Sequence, residues 1–475
     1  MRDAGGLLRL RRRSPVHGLD RRNLGPLEVL VQSVSSAAPA AAMATVPAIV
    51  AATAGSATVW SFVLATVLAL LVAVCIGQFT RRMAAAGSLY SLTAKGLGPG
   101  AAFASCAALL VGYAVLVMAA LTGAAIYLDA LLERLGWRAP PVVGGAVVVV
   151  IAVLSGALVL RGVRLSARTV LAVEALSIAL MIGIFAVLLG GGPAPSPAPT
   201  AGAGLGGVAA GVLPALGAFI GFEAATTLGV EARRPFVAVP RAVFGTAAVV
   251  GLLSIFAAHT QVSRFGEALG GSPEPVLALA TAGGAPWLAI VLDLGIATSF
   301  LACTVATTNA LIRVLFSMGR DGIAPRLLGR THPRYRTPHV AIAAALPVVG
   351  AVPAVLLAAG VPGPAALTGL LAVATAGYLV GYLLVCLAAP LFLRRIGELT
   401  AAPVVVTALT VPALALVCGA FVVSALGGAV PVALTALLAA ALAWYGWLRL
   451  RRPDQLAGIG VYDETSAADV HGLLR

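Results

Sequence analysis

Twelve long apolar runs constrain this chain more than any other feature of its sequence. An apolar helix needs about 20 residues, rising 1.5 Å each, to cross about 30 Å of hydrocarbon. Stretches of that length with few ionisable residues fall at 29–52, 57–78, 101–128, 142–160, 168–190, 207–230, 242–261, 286–316, 339–359, 364–391, 402–424 and 428–449. The expected fold class is an all-α integral membrane protein with about 12 transmembrane helices, embedded in a lipid bilayer. The third and eighth runs are long enough to tilt strongly or to project beyond the bilayer. The Gly- and Ala-rich 363–391 region has the least sharply marked limits.

Charge sets the topology. Only 10% of the 475 residues are charged and 60% are hydrophobic, against about 25% charged in an average soluble domain. A soluble enzyme is thereby excluded. The net charge of +14 is no footprint for nucleic acid, because the Lys and Arg residues stand in short clusters between apolar runs and not on one folded surface. Seven lie between Arg2 and Arg22, and the others fall in alternate loops, leaving only Arg134, Arg138 and Arg264 on the opposite side. Of 31 cations, 28 thus share one side, which the positive-inside bias makes cytoplasmic. The expectation is a multi-pass protein of the inner (cytoplasmic) membrane with both termini inside.

Several other patterns carry no chemistry. Before residue 29 no apolar core of 7–15 residues ends at a small-residue cleavage site, so no cleaved signal is expected. Cys75, Cys106, Cys303, Cys386 and Cys418 are isolated within apolar runs, and the five histidines form no metal-ligand cluster. Gly202, Gly204 and Gly207 fit G-x-G-x-x-G literally. They follow the Pro-rich stretch GGPAPSPAPT and no strand, so the match is read as a flexible loop entering a helix. No metal, no cofactor and no enzymatic activity are expected.

Polar ligands bind inside helical membrane proteins where a helix breaks and exposes backbone N–H and C=O groups. The first run contains Ser35-Ser36-Ala37-Ala38-Pro39, which places a proline among small residues at mid-membrane. The sixth contains Gly217-Ala218-Phe219-Ile220-Gly221-Phe222-Glu223, joining glycines to a carboxylate in apolar surroundings. Each break has a plainer reading. Pro39 alone can be a kink, and Glu223 can cap the second half of its helix as well as serve function. Breaks in runs one and six, five runs apart, fit an inverted repeat of five plus five helices.

The chain resembles the amino acid–polyamine–organocation (APC) superfamily, specifically its bacterial amino acid permeases, over almost its whole length. The likeness rests on RRMAAAGSLYSLTAKGLGPGAAF, GVRLSAR, GAFIGFEAATTLGVEARRPFVAVPRA and TNALIRVLFSMGRDGIAPRLLGRTHPRYRTPHVA. It implies a LeuT-like fold: a cytoplasmic arm at 1–28, a first five-helix repeat at 29–190, an external loop at 191–206 and a second repeat at 207–391. Helices 11 and 12 would occupy 392–449, with a cytoplasmic tail at 450–475. The resemblance places the substrate on Ser35, Ser36, Ala37, Ala38, Pro39 and Ala40 of the first break and on Phe219, Ile220, Gly221 and Phe222 of the second. A substrate carboxylate would meet backbone N–H groups at about Ala40 to Ala42, where the helix dipole favours an anion. The ammonium would meet the carbonyls of Ser35 and Phe219. Where family members often carry a Gly-Ser-Gly-like stretch, this sequence has Ala37-Ala38-Pro39.

Coupling is less directly marked. Some family members hold a lysine in helix 5, and the matching position here is Ser177. Glu174, one turn away on the same face, is a candidate proton carrier or a structural polar residue. Asp293 is a third intramembrane carboxylate, nearer the outside, where it can equally line a wet vestibule, and Glu223 is the leading coupling candidate. Ser299, Thr304, Thr307 and Thr308 offer hydroxyls to sodium or to their own helix backbone. The sequence thus points to a secondary active permease with a small-molecule substrate, an amino acid or amine. Neutral amino acids are favoured because no Lys or Arg stands among the pocket candidates. Protons are placed ahead of sodium as the coupling ion. The alternatives are an exchanger without net ion coupling and a non-transporting membrane sensor, and the oligomeric state stays open.

Overall fold

A computed structural model describes residues 14–137, 140–190, 204–271, 276–277, 286–424 and 429–464. Arg138, Gly202, His471, Arg475, residues 1–13 of the arm and the GGPAPSPAPT stretch lie outside the described residues. The first crossing consists of α1 (Pro26–Ser36) and α2 (Pro39–Ala54), followed by α3 (Thr58–Thr80). A short helix, α4 (Leu89–Leu97), leads into α5 (Pro99–Arg134), α6 (Pro141–Leu160) and α7 (Val163–Gly190). The sixth crossing is α8 (Leu205–Leu216) with 3-10 turns at Gly217–Phe219 and Ala224–Leu228. Then come α9 (Pro235–Phe265), α10 (Pro286–Asp321), α11 (His339–Ala358), α12 (Gly363–Arg395), α13 (Ala401–Ser424), α14 (Ala429–Arg451) and the short α15 (Pro453–Ala457).

Counting each interrupted pair once gives twelve crossings among the described residues, and their limits differ from the expected apolar runs by up to seven positions, at Pro235. Prolines at the first turn of α1, α2, α5, α6 and α9 preset φ where an N–H is not required. The long third and eighth runs are both 36-residue helices, α5 and α10, and they pack along each other at the centre of the bundle. Small residues bring α12 against α5 backbone to backbone, since a Cβ on Gly377 would lie 2.8 Å from the Gly112 nitrogen. The last two crossings are peripheral: α13 buries Thr410, Leu414 and Val417 of its 24 residues.

The face that carries residues 14–24 and 453–464 is closed by chain that the apolar runs do not predict. The segment between α3 and α5 folds in part as α4, with Leu89, Tyr90 and Leu92 buried. The N-terminal arm joins the stretch after the sixth crossing, where Leu24 N–H donates to Glu231 O at 2.9 Å and Arg233 N–H to Leu24 O at 2.9 Å. Across it runs the C-terminal tail. Gly460 and Val461 N–H groups donate to the Asp321 carboxylate at 3.0 and 2.9 Å, and Tyr90 Oη donates to the same group at 3.0 Å. Asp463 accepts from Arg21 at 2.8 and 2.9 Å and from Ser14 Oγ at 2.9 Å, tying the N-terminal arm to the stretch after α15.

Candidate functional site

The two breaks meet. Between α1 and α2 the chain passes through Ala37 and then Ala38, which takes the left-handed conformation at φ 48°, ψ 57° before Pro39 restarts the helix. In the sixth crossing Ile220 is extended and Gly221 has φ 93°. A Cβ on Gly221 would lie 2.7 Å from Ser36 Oγ and 2.8 Å from Ser36 O. Glycine is therefore required twice over, by its backbone conformation and by the closeness of the other break. Ser33 Oγ adds a clamp by accepting the Ala225 N–H at 2.8 Å. The Ser35 and Phe219 carbonyls each accept one backbone N–H at 3.2 Å, from Ala38 and Phe222, and a carbonyl has a second lone pair for an ammonium.

Glu223 follows the second break and is fully buried. Its side chain does not cap the 3-10 turn that begins at Ala224. Its oxygens instead accept two tyrosine hydroxyls, Tyr113 Oη at 2.7 Å from α5 and Tyr382 Oη at 2.6 Å from α12. Tyr113 Oη also contacts Ser88 Oγ at 3.0 Å, and Ser88 Oγ contacts Thr226 Oγ1 at 3.0 Å. One carboxylate thus joins three crossings through a chain of hydroxyls. Phe222 packs against Tyr382 with ring centroids 5.3 Å apart, and Phe219 is buried beside it in the core.

Glu174 on α7 lies behind the first break. It accepts from Ser299 Oγ of α10 at 3.1 Å, and Ser299 Oγ accepts the Ala41 N–H at 3.3 Å. Ala42 N–H donates to Ala38 O at 2.9 Å. The Ala41 and Ala42 amides at the start of α2 are therefore engaged by protein groups. Ser177 bonds Val173 O at 2.9 Å and Thr298 Oγ1 at 2.7 Å. Of the α10 hydroxyls, Thr304 bonds its own helix at Phe300 O, whereas Thr307 reaches Ser36 Oγ at 2.9 Å. Cys303 also turns to the break, donating to Ser36 O at 3.2 Å.

Asp293 is separate from this cluster. It is buried and paired with Arg134 at the far end of α5, away from the terminal face. On the terminal side of the breaks, Glu231 pairs with Arg313 of α10. The sequence marks the breaks and three carboxylates, whereas Tyr113, Tyr378, Tyr382 and this second ion pair emerge only in the fold. A signal for the tyrosines exists: a phenol in an apolar run has a hydroxyl that needs a partner, and Tyr378 and Tyr382 stand one turn apart in the tenth run.

A helical bundle with touching breaks in its first and sixth crossings, and a buried carboxylate just beyond one of them, has the architecture of the LeuT-like membrane transporters. Over residues 24–447 the chain matches the family described as amino acid permease, and it belongs to that family. It is 28% identical over 311 residues to the branched-chain amino acid permease BcaP of Bacillus subtilis (strain 168), covering 61% of this chain and 66% of that protein. It is also 28% identical over 301 residues to the low-affinity putrescine importer PlaP of Escherichia coli (strain K12), covering 58% of this chain and 63% of that one. The matched region thus spans just under two thirds of these curated relatives. A solved manganese transporter of Eremococcus coleocola shares the fold with a TM-score of 0.56 and 14% identity, covering 91% of this chain and 95% of that one.

Proposed function

We propose that this protein is a secondary active permease that imports neutral amino acids across the cytoplasmic membrane by alternating access, driven by protons. The observation that carries this reading is the contact of the two breaks at Gly221 and Ser36, which brings carbonyls with a second lone pair from both halves into one region. Residues 29–190 and 207–391 are the two inverted halves, with 392–449 peripheral to them. The arginine-rich terminal face is the cytoplasmic one. The substrate lies along Ser35 to Ala40 and Phe219 to Phe222, with its ammonium on the Ser35 and Phe219 carbonyls and its carboxylate toward the start of α2. Neither Lys nor Arg stands among these residues, so an acidic side chain has no counter-charge there.

Glu223 is the proton carrier of this scheme, with Glu174 as a second candidate. Glu223 sits where the second break, α5 and α12 meet, so a change in its protonation alters three crossings at once. The test is uptake into proteoliposomes of labelled amino acids and polyamines, with an inward proton gradient, a sodium gradient or internal substrate. Accumulation of a neutral amino acid under the proton gradient supports the reading, and its loss in Glu223→Gln assigns the carrier. Uptake that requires sodium, or only internal substrate, replaces proton coupling with sodium coupling or exchange. Binding without flux under every condition sinks the permease reading.

A further inference from the structure

The hydroxyl of Tyr378 is a buried polar group beside the breaks to which proton coupling through Glu223 gives no task. Tyr378 lies on α12 one turn before Tyr382 and is fully buried. Its ring stands edge-on to Tyr113 with centroids 5.2 Å apart and lies 5.9 Å from the Tyr382 ring. Gly112 gives it room, since a Cβ there would come within 3.2 Å of the ring. The ring is thus held on two sides by neighbours that are themselves fixed to Glu223. Tyr382 in turn packs on Phe222 of the second break, with ring centroids 5.3 Å apart. Tyr378 therefore belongs to the cluster of rings that joins Glu223 to the breaks.

Tyr113 and Tyr382 direct their protons to Glu223, whereas the Tyr378 hydroxyl has no hydrogen-bond partner among the described residues. Buried hydroxyls are normally paired. A second partnerless hydroxyl, Ser35 Oγ, belongs to the first break itself. A substrate carboxylate arriving at the start of α2 needs donors, and few amides are left there: Ala41 N–H is bonded to Ser299 Oγ and Ala42 N–H to Ala38 O, while Pro39 has none. Tyr378 Oη is a donor within the same cluster whose proton is not committed.

We propose that the Tyr378 hydroxyl donates to the carboxylate of the transported amino acid, which makes Tyr378 a specificity-determining residue separating amino acids from amines of the same shape. This rests on the permease reading above. Tyr378→Phe keeps the ring and removes only the hydroxyl. The experiment measures, in proteoliposomes, KM for the labelled amino acid that the wild-type protein takes up best, the inhibition of that uptake by its decarboxylated amine, and Tm. The expected result is a KM raised about tenfold or more, the loss of a hydrogen bond to a charged group. The potency of the amine and Vmax stay unchanged, and Tm is equal or higher because no protein partner is lost.

An unchanged KM overturns the proposal. So does an equal loss of potency for amine and amino acid, which is the signature of a packing role. Wild-type protein that takes up no amino acid removes the permease reading and this inference together, and that failure is visible before any variant is made.

Discussion

Glu231 and Arg313 form a two-pronged ion pair that neither side chain shares with solvent. Arg313 Nε donates to Oε2 at 2.7 Å and Nη2 to Oε1 at 3.1 Å, with the side chains of Arg313 and Glu231 0% and 2% exposed. Arg313 Nη1 continues to Asn309 O at 2.8 Å. Because Glu231 O also accepts the Leu24 N–H, the pair ties the stretch after the sixth crossing to α10 and to the N-terminal arm.

The first prediction is that Glu231→Gln and Arg313→Gln each destabilise the protein severely. Removing one member leaves the other charge buried without its counter-charge, a loss of about 3–5 kcal/mol. The double variant, with no buried charge, is expected to recover a substantial part of that loss. A double-mutant cycle on Tm in detergent checks this, and purely additive losses would show that the two side chains are not coupled.

Gly221 supports a second prediction. Gly221→Ala puts a methyl group against Ser36 at a backbone conformation, φ 93°, that L residues rarely adopt. Gly217, four positions earlier in the same crossing, has nothing within 4 Å of where an added methyl group would stand. Uptake is expected to be abolished by Gly221→Ala and retained by Gly217→Ala. Equal activity of the two would mean that the contact between the breaks is not needed for transport.

Both breaks were legible in the sequence because proline and glycine act through the backbone, and the backbone is local. Glu223 was legible because a lone carboxylate in an apolar run is costly wherever it lies. The partners that stabilise it were not. Tyr113 and Tyr382 lie 110 positions before Glu223 and 159 after it, and no local pattern says which phenol reaches which acid. The same holds for the start of α2, where only the fold shows Ser299 occupying the Ala41 donor that the resemblance assigns to substrate. Likewise α4 is too short to register as an apolar run, although Leu89, Tyr90 and Leu92 are buried.

A third prediction concerns the tie between the N-terminal arm and the stretch after α15. Asp463 receives two hydrogen bonds from Arg21 and one from Ser14, and its own N–H donates to Ala84 O at 2.8 Å. Asp463→Asn removes the charge that draws Arg21 but keeps the backbone bond. Faster amide hydrogen exchange is expected in residues 14–24 and in 456–464, with exchange in α5 and α10 unchanged. Unaltered exchange in the arm would show that its other contacts, with residues 230–233 and with Arg320 at His17 O, suffice to hold it.

The last prediction separates Asp293 from the other two intramembrane carboxylates. Glu223 and Glu174 bond to hydroxyls beside the breaks, so each can change protonation without stranding a cation. Asp293 is paired with Arg134, whose side chain is 26% exposed. A protonated Asp293 would leave that guanidinium without its partner, which favours a standing ion pair over a proton relay. Asp293→Asn is therefore expected to retain gradient-driven accumulation. Its stability cost is expected to be about 1 kcal/mol or less, because Arg134 can turn toward water in a way that buried Arg313 cannot. Parallel measurement of Tm and of accumulation under a proton gradient decides the matter. Loss of gradient-driven accumulation with unchanged Tm would move the coupling role from Glu223 and Glu174 to Asp293.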